Sequence, residues 1–366
     1  MPSVAIIGTR GYPSYYGGFE TAVRKIAPYL VDAGWDVTVY GRRGATRPDD
    51  ESADPGVATR ITPGLETKSL STLSYGMTST LDAAARRPDA ALVMNVANGY
   101  FLPFLNARRI PTLVNVDGIE WERGKWSPLA QRVFRIGAGL TARHADGLVF
   151  DSRAIETYWR QAFGVGGTYI PYGGDVPDPL PIPDGLTHRG YVLFVARFVA
   201  ENSVPEFFGA VPTIAAKYPV VIVGSSGYGG EWDDAAKTLA EGHPDVSWLG
   251  HVSNDSLLLA LWQHAGLYFH GHSVGGTNPA LVQAMAAGAP ILARDTVYNR
   301  EVLGATANLV TPDSGAISRS VLALMGGSVE EREEAGQANL ERAEYNYSWE
   351  QVCADYERTL RRLVRS

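Results

Sequence analysis

The feature that most limits what this chain can become is a rhythm of short apolar runs, each separated from the next by enough residues for a helix. Val4 to Ile7, Val37 to Tyr40, Ala91 to Met94, Thr112 to Val116, Leu148 to Phe150 and Thr168 to Ile170 are strand candidates. Such runs, alternating with helix-length segments, predict parallel strands joined by crossover helices. Phe19, Ala22, Val23, Ile26, Ala27 and Leu30 recur at three- and four-residue steps, which marks one face of a first helix ended by Gly34. Residues 44–72 read as loop, with a solvated acidic stretch around Asp49, Asp50, Glu51 and Asp54. Between Pro171 and Arg189 five prolines and three glycines rule out either regular structure and read as a linker. The rhythm then restarts at Tyr191 to Val195, Val220 to Val223, Val246 to Leu249, Leu267 to Phe269, Ile291 to Ala293 and Leu309 to Val310. The expectation is α/β throughout, with one domain over 1–175 and a second over 186–349. A final helix over 350–366, striped by Val352, Tyr356, Leu360 and Leu363, is expected to pack back across them.

A chain of 366 residues suits two such domains. Its net charge of −7 and pI near 5.6 argue against nucleic-acid binding. The single cysteine, Cys353, excludes a disulfide framework or a cysteine-based zinc site and points to a reducing compartment. No apolar run approaches 18 residues, and Val4 to Ile7 is too short for a signal peptide. The expected place is the cytoplasm, either free or peripheral on the inner face of the membrane.

The chemistry concentrates in Tyr268 to Glu301. An apolar strand end breaks into a loop of His270, His272, Ser273, Gly275, Gly276, Thr277 and Asn278, then into an alanine-rich helix opened by Pro279. Proline suits a first turn and Thr277 or Asn278 suits the cap. Glycines that admit a ligand to the backbone, with free N–H groups at a helix mouth, make a diphosphate seat. The plain alternative is a glycine-rich turn. Arg197, just after the strand ending at Val195, can give a diphosphate two donors, or serve a surface salt bridge. In the first domain the glycines at 8, 11, 17 and 18 lie between a strand and a helix. Their spacing is not GxGxxG and no convincing acidic residue follows at ribose distance, which disfavours a nicotinamide cofactor. Two domains facing across a cleft, each with a glycine-rich loop, suit a nucleotide-linked substrate and an acceptor.

At this point the residues resemble a family. VARF at 195–198, VSWLGHVS at 246–253, HGHSVGGTNPALVQAMAAG at 270–288, FDSRAIETYW at 150–159, YNREVLG at 298–304 and YNYSWEQV at 345–352 look like family-4 glycosyltransferases of GT-B fold. IGTRGYPSYYGGFET at 7–21 and NVDGIEWERGKW at 115–126 are most similar to the bacterial branch containing rhamnosyltransferases. The resemblance implies two Rossmann-like doubly wound domains and a retaining transfer from a nucleoside-diphosphate sugar to a saccharide or lipid-linked hydroxyl. The donor is then a substrate and no cofactor is needed. Donor binding is expected from Gly17, Gly18, Arg197, Gly250, His251, Gly275, Gly276, Thr277, Asn278 and Gln283.

Two departures stand out. The family's lysine a few residues after the arginine is absent, the stretch being Ala200-Glu201-Asn202. Of two glutamates that the family spaces by seven residues, the second, which grips the ribose, is Gln283 and the first position is Gly275. His272 is the best polar substitute for that first acid. Asp117 and Glu120, after the strand at Thr112 to Val116, would orient hydroxyls or accept a proton, or Asp117 simply caps a turn before Gly118. No DxD pair exists to hold a cation, so no metal is expected. Glu122 to His144 carries Arg123, Lys125, Arg132, Arg135 and Arg143 among Trp126, Leu129, Val133, Phe134 and Ile136. It is either an ordinary helix with a basic face or a surface for an anionic leaflet. The donor expected first is dTDP-rhamnose. UDP-glucose, UDP-N-acetylglucosamine and GDP-mannose are alternatives, as is a nucleotide-sugar-binding protein without turnover.

Overall fold

The computed structural model describes all residues except 16, 47, 48, 67–70, 125, 228 and 366. The described chain divides into two compact units, one of residues 1–172 with 349–366 and one of residues 173–348.

The first unit runs β1 (Ser3–Ile7), α1 (Gly18–Asp32), β2 (Asp36–Gly41), β3 (Val57–Ile61), α2 (Ser71–Arg86), β4 (Ala90–Met94), α3 (Leu102–Asn106), β5 (Thr112–Asn115), α4 (Pro128–His144), β6 (Gly147–Phe150), α5 (Arg153–Phe163) and β7 (Thr168–Tyr169). Its strands form one parallel sheet in the order β3-β2-β1-β4-β5-β6-β7. β1 and β4 are wholly apolar at their centres because helices cover both faces. β3 was expected as loop. It is an edge strand paired on one side only, and only Val57 of it is buried, so its sequence lacks a strand's apolar run.

The second unit runs β8 (Val192–Val195), α6 (Val204–Ala215), β9 (Val220–Val223), α7 (Glu231–Gly242), β10 (Val246–Trp248), α8 (Asp255–His264), β11 (Leu267–His270), α9 (Pro279–Ala286), β12 (Ile291–Arg294), α10 (Val297–Leu303), β13 (Asn308–Val310), α11 (Ser314–Met325) and α12 (Val329–Asn346). The sheet is parallel, ordered β10-β9-β8-β11-β12-β13, with one apolar cluster on each face. Both sheets are thus doubly wound, the strand order reversing between β1 and β4 and between β8 and β11.

The proline-rich stretch from 173 to 189 is bound to the second unit along its length. Gly174 pairs with Ser348, Leu180 N–H donates to Gln263 Oε1 at 2.8 Å, and Arg189 donates to Glu333, Ala265 and Gly288.

The last helix, α13 (Trp349–Arg365), belongs to the first unit. Trp349, Val352, Cys353, Tyr356 and Leu360 join the core of β1, β2, β4 and α1. At roughly 2 kcal/mol for each large apolar side chain removed from water, this stripe is a main stabiliser of that unit. Tyr356 accepts Asn115 Nδ2–H at 2.6 Å, tying α13 to the end of β5. Among the described residues no helix is long and apolar enough to cross a membrane.

Candidate active site

The strand order reverses between β8 and β11, and the carboxyl ends of strands at such a reversal are where doubly wound sheets hold ligands. Arg197 follows β8 directly, its side chain is exposed, and among the described residues no carboxylate pairs with it. Asn202 is buried and donates its Nδ2–H to Arg197 O at 2.8 Å, fixing the turn that carries the guanidinium but adding no charge. Ser203 follows in the left-handed region with φ of 55°. Its Oγ donates to Gly271 O at 2.8 Å and accepts from Arg294 Nη1 at 3.0 Å.

β11 ends at His270, which is fully buried. The Tyr268 hydroxyl lies 3.3 Å from Val195 O and 3.0 Å from His270 Nδ1. Whichever of the two carries the bridging proton, His270 Nε2 has no hydrogen-bond partner among the described residues. Burial first, and the neighbouring His272 second, push the His270 pKa well below the usual imidazole value, so the ring is neutral. It stacks on His272 with centroids 4.4 Å apart and planes 11° from parallel.

Gly271 is a glycine by necessity, since a Cβ there would lie 2.3 Å from Asn202 O. The β11 loop and the Arg197 turn therefore meet backbone to backbone. Ser273 reinforces the contact, its N–H and Oγ both donating to Glu201 O at 2.9 and 2.8 Å. Gly275 has a φ of +98°, while Gly276 and Thr277 are buried. Asn278 is the cap of α9, accepting Ala280 N–H at 3.0 Å, and Pro279 is the first helical residue. Gly250 (φ +63°) and exposed His251 lie beyond β10, with Gly250 O accepting Gly224 N–H at 2.7 Å. Gln283 is engaged elsewhere: its Oε1 accepts Asp175 N–H at 3.0 Å and its Nε2 donates to Asp175 O at 2.6 Å.

Sequence reasoning passed over three neighbours. Arg294 closes β12 and reaches Ser203. Asn299 donates both to His272 O at 3.0 Å and to Arg294 O at 2.8 Å, joining those two strand ends. The loop after β9 begins with Gly224 and Ser225, whose hydroxyl donates to Asp233 Oδ1 at 2.6 Å. A Cβ on Gly224 would lie 1.8 Å from Ala196 O. Its glycines, between a strand and a helix, were the readable signal.

In the first unit the corresponding reversal lies between β1 and β4. Gly8 has a φ of +93°, and a Cβ there would lie 2.1 Å from Met94 O. Buried Glu20 accepts Arg10 N–H at 3.0 Å, holding the loop onto α1. Gly17 is the cap of α1 with extended backbone, and Gly18 is its first residue. Asp117 is half-buried with φ of +57°, its N–H donating to Asn115 Oδ1 at 2.9 Å. Glu120 is 5% exposed and accepts from Arg123 Nη1 at 2.5 Å and Trp126 Nε1 at 2.8 Å. That carboxylate therefore holds the turn into α4, whereas Asp117 stands at a strand end.

α4 is capped by Ser127 and exposes Leu129 and Ile136 together with Arg132, Arg135 and Arg143. Phe104 of the adjoining α3 is also exposed. Lys125, expected with this group, lies outside the described residues.

Residues 17–173 match the model of a glycosyl transferase 4-like domain, and residues 189–326 that of glycosyl transferases group 1. Against curated protein sequences the chain finds no match. Among solved structures it is similar to sucrose-phosphate synthase from Thermosynechococcus elongatus (TM-score 0.82, 17% identity, 99% of each chain). It is similar to Anabaena HepE in complex with UDP-glucose (TM-score 0.74, 16% identity, 98% of this chain and 99% of that one). A glycosyltransferase from Rickettsia africae gives a TM-score of 0.74 at 11% identity over 99% of this chain and 98% of that one.

Proposed function

We propose that this chain, whose residues 17–173 and 189–326 match glycosyl transferase models and whose fold is that of GT-B glycosyltransferases, is a family-4 glycosyltransferase that transfers a sugar, with retention, from a nucleoside diphosphate held by the second unit to an acceptor hydroxyl. The observation that carries the reading is Arg197, an exposed guanidinium without a carboxylate partner among the described residues, at the β8–β11 reversal. The positive end of the α9 dipole supplies a second favourable place for phosphate, at the loop before Asn278. It acts most on the leaving diphosphate, where negative charge grows as the bond to the sugar breaks. Asp117 is assigned to acceptor or sugar hydroxyls on the first unit, and His272 to the sugar side of the donor.

We favour dTDP-rhamnose as donor, for cell-surface polysaccharide synthesis, on the residue strings at 7–21 and 115–126. UDP-glucose is the second reading, because HepE, similar in fold, was solved with it. The absence of a DxD pair supports a transfer that proceeds in chelator. Incubation with a panel of nucleotide sugars, following release of diphosphate and transfer of sugar, tests all of this. Turnover of one donor selects the substrate. Binding without turnover would leave a nucleotide-sugar-binding protein.

The exposed Phe104, Leu129 and Ile136 among arginines support docking of the first unit on an anionic leaflet, to reach a lipid-linked acceptor. Absence of cosedimentation with anionic vesicles removes that part.

A further inference from the structure

We propose that Arg294 is a second cation for the donor's diphosphate, gripping it from the β12 side while Arg197 grips it from the β8 side. The inference rests on the second unit being a nucleotide-sugar site, and it assigns a residue that no motif singled out.

Sheet order is the first support. β8, β11 and β12 are consecutive neighbours. With strands about 4.8 Å apart, the ends carrying Arg197 and Arg294 are separated by roughly 10 Å, and the His270 to Asn278 loop lies between them. Two long guanidinium side chains flanking one glycine-rich loop make a clamp.

Charge is the second support. A guanidinium has five N–H donors, and the only protein acceptor of Arg294 among the described residues is Ser203 Oγ at 3.0 Å. The acid beside it in sequence, Asp295, is taken by Arg300, with bonds of 2.7 and 2.6 Å from Nε and Nη2. Arg294 is therefore a half-buried cation with no counter-ion among the described residues. Partial burial of an uncompensated charge is costly, and an anionic ligand removes the cost. A diphosphate bears more negative charge than Arg197 alone balances, and Asn202, near Arg197 on the same turn, is neutral.

Positioning is the third support. Ser203 Oγ is held by its own bond to Gly271 O, and the Arg294 carbonyl is held by Asn299, which also holds His272 O. The Arg294 backbone and its guanidinium are thus each held against the loop that the phosphates would occupy.

The test is calorimetric titration of UDP, dTDP and GDP, with the matching nucleoside monophosphates, into the wild-type protein and the Arg294→Gln, Arg294→Lys and Arg197→Gln variants. Arg294→Gln is expected to weaken the bound diphosphate about 10- to 100-fold, the scale of one charged hydrogen-bonding group. The monophosphate should weaken less, and Arg294→Lys should recover part of the loss. An unchanged affinity in Arg294→Gln, with Arg197→Gln weakened, overturns the inference and leaves the function standing. Equal losses for mono- and diphosphate, or no recovery with lysine, mean a structural role and also overturn it. If the wild-type protein binds no nucleoside diphosphate, the function itself fails and the inference with it.

Discussion

The carboxamide of Gln283 and the backbone of Asp175 close a ring of two hydrogen bonds, N–H to Oε1 at 3.0 Å and Nε2–H to O at 2.6 Å. Only an amide completes this ring, because one atom must accept while the other donates. Gln283 thus has a local reason to be glutamine: it pins the start of the segment that enters the second unit. To touch a ribose as well, it must use its second Nε2 proton or its second Oε1 lone pair.

Gln283→Glu keeps the acceptor and loses the donor, leaving Asp175 O facing a carboxylate. The second unit should lose about 1–3 kcal/mol, the cost of an unsatisfied polar group and a broken bond. Thermal unfolding at neutral pH reads it, and an unshifted midpoint would contradict the role given to the ring.

Arg197→Ala should lower nucleoside diphosphate affinity by about 1–3 kcal/mol, with folding intact because the side chain is exposed. Unchanged binding in calorimetry is the result that sinks the diphosphate site.

Glu333 accepts two bonds from Arg189, at 3.1 Å each, and one from His188 Nε2 at 2.6 Å. The Arg189 hydrogen bond is the main reason its pKa lies below the usual 4.5, with His188 adding to it and burial opposing. A carboxylate with a depressed folded pKa stabilises above its unfolded pKa, and that stability is lost as pH falls through the folded value. Between about pH 5 and pH 3 the wild-type midpoint should therefore drop further than that of Glu333→Gln. Parallel curves for the two proteins would remove the assignment.

Gly224→Ala places a Cβ 1.8 Å from Ala196 O at a φ of +133°. Backbone must move, so a loss of at least about 2 kcal/mol is expected, with weaker nucleotide binding because Ala196 precedes Arg197. Native stability together with native affinity would refute the close approach.

How much of this was readable follows from which interactions are local. The buried strands announce themselves because both faces are covered and every position is apolar, as in Ala90–Met94. β3 does not, because one edge and most side chains face water and VATRI has no rhythm. The Asn278 cap and Pro279 start were legible, since capping is decided within a few residues. Glu120 looked like a free acid beside Asp117, and only the fold of the following turn brings Arg123 and Trp126 onto it. Arg294 fell just outside the strand read at Ile291 to Ala293, its significance depending on β12 lying next to β11, which no local pattern encodes. The Gln283 ring joins residues 108 apart and was equally hidden.

The helix that finishes the first unit is written after the whole of the second. During synthesis on the ribosome, residues 173–348 can reach their native fold while the earlier sheet still lacks Trp349, Val352, Tyr356 and Leu360. The leading lobe is consequently the later one to mature, and a lesion within residues 349–365 is felt in the sheet that begins at Ser3.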